Sequence, residues 1–164
     1  MKAATFVRIA AGLVLVHAVL HTVGGVFGKV PAGPAAVAVA AMKANQFVAL
    51  GNTRTFWDFY RGMGLGLTIF LTMEAVVLWL LARLVVRYGR ELRPVLGAFA
   101  IGYVVFAVDS YRYFFLGPVV AELLIAACLV GAVMTAGGGG LCPWTRVRQG
   151  VEGDFGVSVG LKRR

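Results

Sequence analysis

Long apolar runs separated by short polar breaks dominate this chain. The first extends from about Thr5 to Phe27 and stops at "GGVFG", ahead of Pro31 and Pro34. The second covers about Phe56 to Val86, and the third about Val95 to Phe115, after a "RELRP" segment read as helix-breaking. The fourth covers about Val119 to Ala136, after "LGP". Each run approaches or exceeds the roughly 20 residues that cross a bilayer core as a helix, and each boundary carries a Gly or Pro. The pattern predicts an all-α membrane protein, a four-helix transmembrane bundle spanning residues 1–136.

Two stretches fall outside the runs. "PAAVAVAAMKANQFVAL" is broken by Lys43, Asn45 and Gln46, and reads as a short interfacial helix between the first two spans. The four glycines at 137–140 open a basic segment without periodicity, expected to be a flexible cytoplasmic tail over 137–164. The first run has Lys2 and Arg8 near its start, like a signal peptide. It is longer than an ordinary signal core of about 7–15 residues and holds two histidines, so it reads as a retained helix.

Composition supports the membrane reading. The chain of 164 residues is 60% hydrophobic and 14% charged, whereas soluble domains carry roughly a quarter of their residues as charges. The net charge of +9 raises nucleic acid as a partner, but no basic helix interleaved with stacking aromatics is present, so none is expected. The charge is better explained by topology. Eleven of the sixteen Lys and Arg residues fall near the two termini and the second loop, which places those in the cytoplasm by the positive-inside rule. The protein is therefore expected in the cytoplasmic membrane as a multi-pass chain. Cys128 and Cys142 form no CxxC pair, which argues against dithiol chemistry.

The segment "TRTFWDFYRG" has a structural explanation. Thr55 and Asp58 have the spacing of a capping box, and Phe56, Trp57, Phe59 and Tyr60 suit an interfacial aromatic belt. Gly62 and Gly66 form a small-xxx-small pair expected to permit close helix packing.

Ionisable groups within spans cost roughly 2.5–3.5 kcal/mol each at the bilayer centre and usually face a bundle interior. With a rise of about 1.5 Å per residue, His17 and Glu74 lie about 15–18 Å below the outer surface, and His21 and Asp109 about 9–10 Å. Arg112 and Glu122 lie one turn deep. His17 and His21 share one helical face, as do Asp109 and Arg112. The expected site is a polar pocket in the outer half, walled by His17, His21, Asp58, Arg61, Glu74, Asp109, Arg112 and Glu122, with Tyr111 and Tyr113 at the rim. Plainer readings stand beside it: an Asp109–Arg112 ion pair, hydrogen-bonded neutral histidines, Glu74 as a neutral acid, and Glu122 reaching back to the surface.

Two histidines one turn apart cannot ligate a haem from opposite sides. They could bind one divalent metal, with Glu74 or Asp109 as a third ligand. No inverted repeat suggests a secondary transporter. No nucleophile–base pair or phosphate-binding loop is present, and the cofactor is left unassigned.

Together, "HAVLHTVGG", "RTFWDFYRGMGL" and "SYRYFFLGPVV" resemble a family of small bacterial membrane proteins with four predicted spans, over roughly residues 5–135. The resemblance brings no assigned activity. In size and architecture alone, the chain is similar to DoxX-like proteins. The leading expectation is a membrane protein that binds a small or lipid-like ligand, or a partner subunit, through the outward pocket; a homo-oligomer is compatible with it. The alternative is a membrane-embedded enzyme, metal-assisted through His17 and His21.

Overall fold

The computed structural model describes residues 2–137. The tail expected over 137–164 thus lies outside the described residues from 138 onward, Cys142 included. Helix α1 (Lys2–Leu20) runs into a π turn (His21–Val26), followed by α2 (Pro34–Ala44), strands β1 (Gln46–Ala49) and β2 (Asn52–Thr55), α3 (Phe56–Tyr113) and α4 (Leu116–Thr135). Three of these stretches, Lys2–Val26, Phe56–Tyr113 and Leu116–Thr135, are long and apolar enough to cross a membrane.

The 58 residues of α3 would measure about 87 Å as a straight rod. They do not form one. Tyr88 leaves the helical region at φ −121°, ψ 34°, and the Tyr103 phenol reaches Glu74 at 2.9 Å, 29 positions away. That contact requires the chain to double back at Tyr88, with a first limb (56–87) alongside a second (89–113). The break expected at "RELRP" therefore falls at Tyr88, and Pro94 sits inside the second limb. Pro94 costs the helix one hydrogen bond and crowds the carbonyl four residues back, which bends a helix locally, whereas a reversal needs a residue out of helical geometry, here Tyr88. At this corner Gly89 packs on Ala136, and Arg93 Nε donates to the Val133 carbonyl at 2.9 Å, satisfying an acceptor in the last turn of α4.

The buried positions follow a spacing of alternating four and three. They are Leu71, Ala75, Leu78, Ala82 and Val85 on the first limb, and Leu96, Ala100, Tyr103, Ala107 and Ser110 on the second. Ala3, Val7, Ala10, Val14 and His17 continue the pattern on α1. This is the seam spacing of nearly parallel or antiparallel packed helices. Alanine supplies many of these positions, which lets the helix backbones approach closely. Glu122, Ile125, Leu129 and Ala132 bring α4 into the same interior.

Between α1 and α3 the expected short helix is present but ends at Ala44. Pro34 occupies its first turn, where a missing N–H removes no helical bond. The "QFVA" that follows is not helical. It pairs antiparallel with "NTRT", from Gln46↔Thr55 to Ala49↔Asn52. Leu50 (φ 49°) and Gly51 (φ 78°) make the two-residue turn, the double positive-φ geometry that suits a hairpin's twist. Glycine accepts this conformation freely; Leu50 does so only because the turn holds it there. Phe47 carries the hairpin onto α3, with its ring 5.2 Å from that of Phe56 and 5.8 Å from that of Phe59.

The capping box expected at the start of α3 is present. The Asp58 N–H donates to Thr55 Oγ1 at 3.0 Å, and the Thr55 N–H donates to Asp58 Oδ2 at 3.2 Å. The fourth helix starts earlier than expected, at Leu116, so Gly117 and Pro118 lie within its first turn. The Gly62/Gly66 expectation is corrected: a Cβ added at either glycine would meet nothing within 4 Å. The close approach belongs to Gly64, where an added Cβ would stand 2.9 Å from Val26 Cγ2.

Candidate functional site

A cavity of about 430 Å³ opens on the side of the two α3 limbs, lined by Glu74, Ala98, Phe99, Gly102, Tyr103 and Phe106. Ala98, Gly102 and Phe106 recur at fours along the second limb and so share one face. Gly102 is where that wall recedes, since a Cβ placed there would touch nothing. Glu74 comes from the first limb and stands near mid-length, 14 residues before the corner at Tyr88. The groove therefore lies midway along the bundle, not at its hairpin end.

Its polar feature is one pair: the Tyr103 O–H donates to Glu74 Oε2 at 2.9 Å. Tyr103 is otherwise buried in the seam, 3% exposed. The bond therefore commits the phenol's only proton to the carboxyl. Phe106 is a partition. One side of it faces the groove, and its ring stacks on the buried imidazole of His17 at 6.4 Å between centroids and 19° between planes.

A second polar group lies inside the bundle, toward the hairpin end. Glu122 is fully buried and accepts a 2.8 Å hydrogen bond from Ser110 Oγ, while its Oε2 has no protein partner. His17 is 7% exposed, and its Nδ1 is likewise without one. Thr22 bridges α1 to the first limb: its hydroxyl lies 2.6 Å from the Ala18 carbonyl and 2.9 Å from Thr68 Oγ1. Next to it, within the π turn, His21 Nε2 lies 3.1 Å from the Gly64 carbonyl. A carbonyl only accepts, so this nitrogen carries the proton. The interior beyond Glu74, around Val7, Leu78, Ala82, Leu96 and Leu129, is apolar.

The structure therefore divides the expected pocket. Glu74 alone of its charged members reaches the groove. His17, His21 and Glu122 point inward, and His21 and His17 turn to different limbs of α3. Arg61 is half-buried with its guanidinium 5.0 Å from the Phe27 ring centroid, a contact at the hairpin end of the bundle. Asp58 is exposed and used in the cap. Asp109, Arg112, Tyr111 and Tyr113 are exposed, and among the described residues Asp109 and Arg112 make no ion pair. Position along each helix could not tell which side of that helix faces inward.

Among the described residues no group of three or more His, Cys, Asp or Glu is gathered as a metal site. His17 and His21 stand without a third ligand. Tyr103 and Ser110, the two hydroxyls that partner the buried carboxyls, were not anticipated. The signal was available: both fall on the 96–100–103–107–110 seam, where a polar residue requires a partner.

Comparison with family models, with curated proteins and with solved structures finds no match to this chain.

Proposed function

We propose that this chain is a four-span protein of the cytoplasmic membrane, both termini inside, that holds a lipophilic small molecule in the groove between the two limbs of α3. The spans would be α1 with its π turn, each limb of α3, and α4. Support for four crossings comes from the reversal at Tyr88, which divides one 58-residue helix into two rods, each longer than the roughly 20 residues a crossing needs. The clustering of Arg83, Arg87, Arg90 and Arg93 around that reversal supports a cytoplasmic corner.

The observation that carries the binding reading is the groove itself. Its volume of about 430 Å³ falls within the range of small-molecule sites, about 300–1,000 Å³. Its lining has the composition of such sites, apolar and aromatic walls with one polar anchor. The opening lies at mid-bundle, where a lipid-dissolved molecule would reach it laterally.

The test is native mass spectrometry of the chain extracted with its surrounding lipids, beside Gly102→Leu. A Cβ at this position meets no atom within 4 Å, so leucine should extend into the groove, and a thermal melt of the variant checks that the bundle is kept. A non-protein mass retained by the parent and lost in Gly102→Leu is expected. Identical spectra for the two proteins would end the proposal.

A further inference from the structure

Building on the groove as a ligand site, we propose that the class of molecule it takes is a lipophilic cation, an apolar body bearing one positive charge. Charge and hydrogen-bonding capacity carry the argument. Three ring-bearing side chains, Phe99, Tyr103 and Phe106, line the groove with a carboxyl, Glu74. Aromatic faces are electronegative and attract cations most strongly where water is excluded. In its ionised form the Glu74 carboxyl offers only acceptor oxygens. The one hydroxyl on the wall already donates to it, and no Lys, Arg or His is among the lining residues.

The groove is thus lined by electron-rich rings and acceptor oxygens, with no side-chain donor left to greet an anion or a carbonyl. Glu74 makes no ion pair among the described residues. A carboxylate at this depth is costly unless paired, and a bound cation would supply the missing charge. His17, the nearest basic side chain in the interior, stands behind Phe106 and stacks on its ring. It is screened from a ligand by the wall that ligand would touch. Ala98 and Gly102 leave room beside the rings for a body of several apolar groups.

The experiment measures binding of tetraphenylphosphonium to the full chain in lipid nanodiscs. Tetraphenylborate, of the same shape and opposite charge, and a short-chain neutral quinone serve as comparison probes. Saturable phosphonium binding is expected, about one per chain, with no saturable binding of the other two. Glu74→Gln keeps an oxygen to accept from Tyr103 while removing the charge, and should weaken phosphonium binding by at least about tenfold, the scale of a lost charge–charge attraction at a partly buried site. Glu74→Asp should retain part of it, and Gly102→Leu should abolish it.

Borate or quinone binding that equals or exceeds phosphonium binding, and is lost in Gly102→Leu, would overturn the cation assignment and leave the groove as a ligand site. Phosphonium binding unchanged in Glu74→Gln would also overturn the assignment. No Gly102→Leu-sensitive binding of any probe, together with no retained mass in the native spectra, would overturn both. Thermal melts of each variant in the same nanodiscs establish that the chain is folded when it is tested.

Discussion

Ser110 and Glu122 hold one another inside the bundle. The serine hydroxyl donates to Oε1 at 2.8 Å, and the carboxyl it meets is wholly removed from the surface. The contact joins the second limb of α3 to α4 across the short Phe114–Phe115 connection, and it is the sole protein hydrogen bond of that carboxyl among the described residues. Removing the hydroxyl leaves a buried acceptor unsatisfied, which costs about 1–3 kcal/mol. Ser110→Ala should lower stability in reversible detergent unfolding by that amount. Ser110→Ala combined with Glu122→Leu should recover most of the loss, because replacing both polar partners by apolar groups is nearly neutral. A single variant as stable as the parent would mean the bond is unimportant.

Tyr103 and Glu74 are coupled across the reversal. Tyr103→Phe keeps the ring in the seam and deletes the donor, so the limbs should remain packed while the carboxyl loses its protein partner. A double-mutant cycle with Glu74→Leu, which removes the acceptor, should give a coupling of about 0.5–3 kcal/mol, read from the same unfolding curves. Strictly additive losses would contradict the contact.

Gly64 should tolerate substitution poorly and Gly62 well. A side chain at Gly64 has to displace Val26, and the same backbone supplies the acceptor for His21. Gly64→Leu should therefore separate the π turn from α3, seen as faster amide hydrogen exchange over residues 21–26. Gly62→Ala meets open space and replaces the weakest helix former short of proline, gaining up to about 1 kcal/mol. Equal effects of the two substitutions would refute the close approach at Gly64.

The capping box makes a local prediction. Thr55→Val keeps the shape of the side chain but removes the oxygen that the Asp58 amide meets at 3.0 Å. Amide exchange at residues 56–58 should quicken, while the lower part of the first limb, packed through Leu71, Ala75 and Leu78, should stay as protected as in the parent. Unchanged exchange at these amides would mean that the hairpin packing of Phe47 on Phe56 and Phe59, and not the cap, fixes the start of α3.

Helical class, the run boundaries to within a few residues, the short helix at Pro34 and the cap at Thr55 were all readable along the chain, because each depends on neighbours a few positions apart. The hairpin over 46–55 was less visible. Its strands are four residues each and its turn is Leu–Gly, a sequence that lacks the Asn or Asp usually announcing such a geometry. "RELRP" gave the opposite error, since a proline marks a breaker by rule, yet the chain turned six residues earlier at Tyr88.

The amino-acid sequence by itself determined where along each apolar run the ionisable groups stand, since position along a helix is a property of the chain alone. Tertiary structure alone decided which polar residues meet. Glu74 finds Tyr103, and Glu122 finds Ser110, because the limbs lie in one register and one rotation about their axes. A rotation of about 100° per residue separates Asp109, on the exposed side, from Ser110 in the core, and no spacing rule within a single helix fixes that angle against its neighbours.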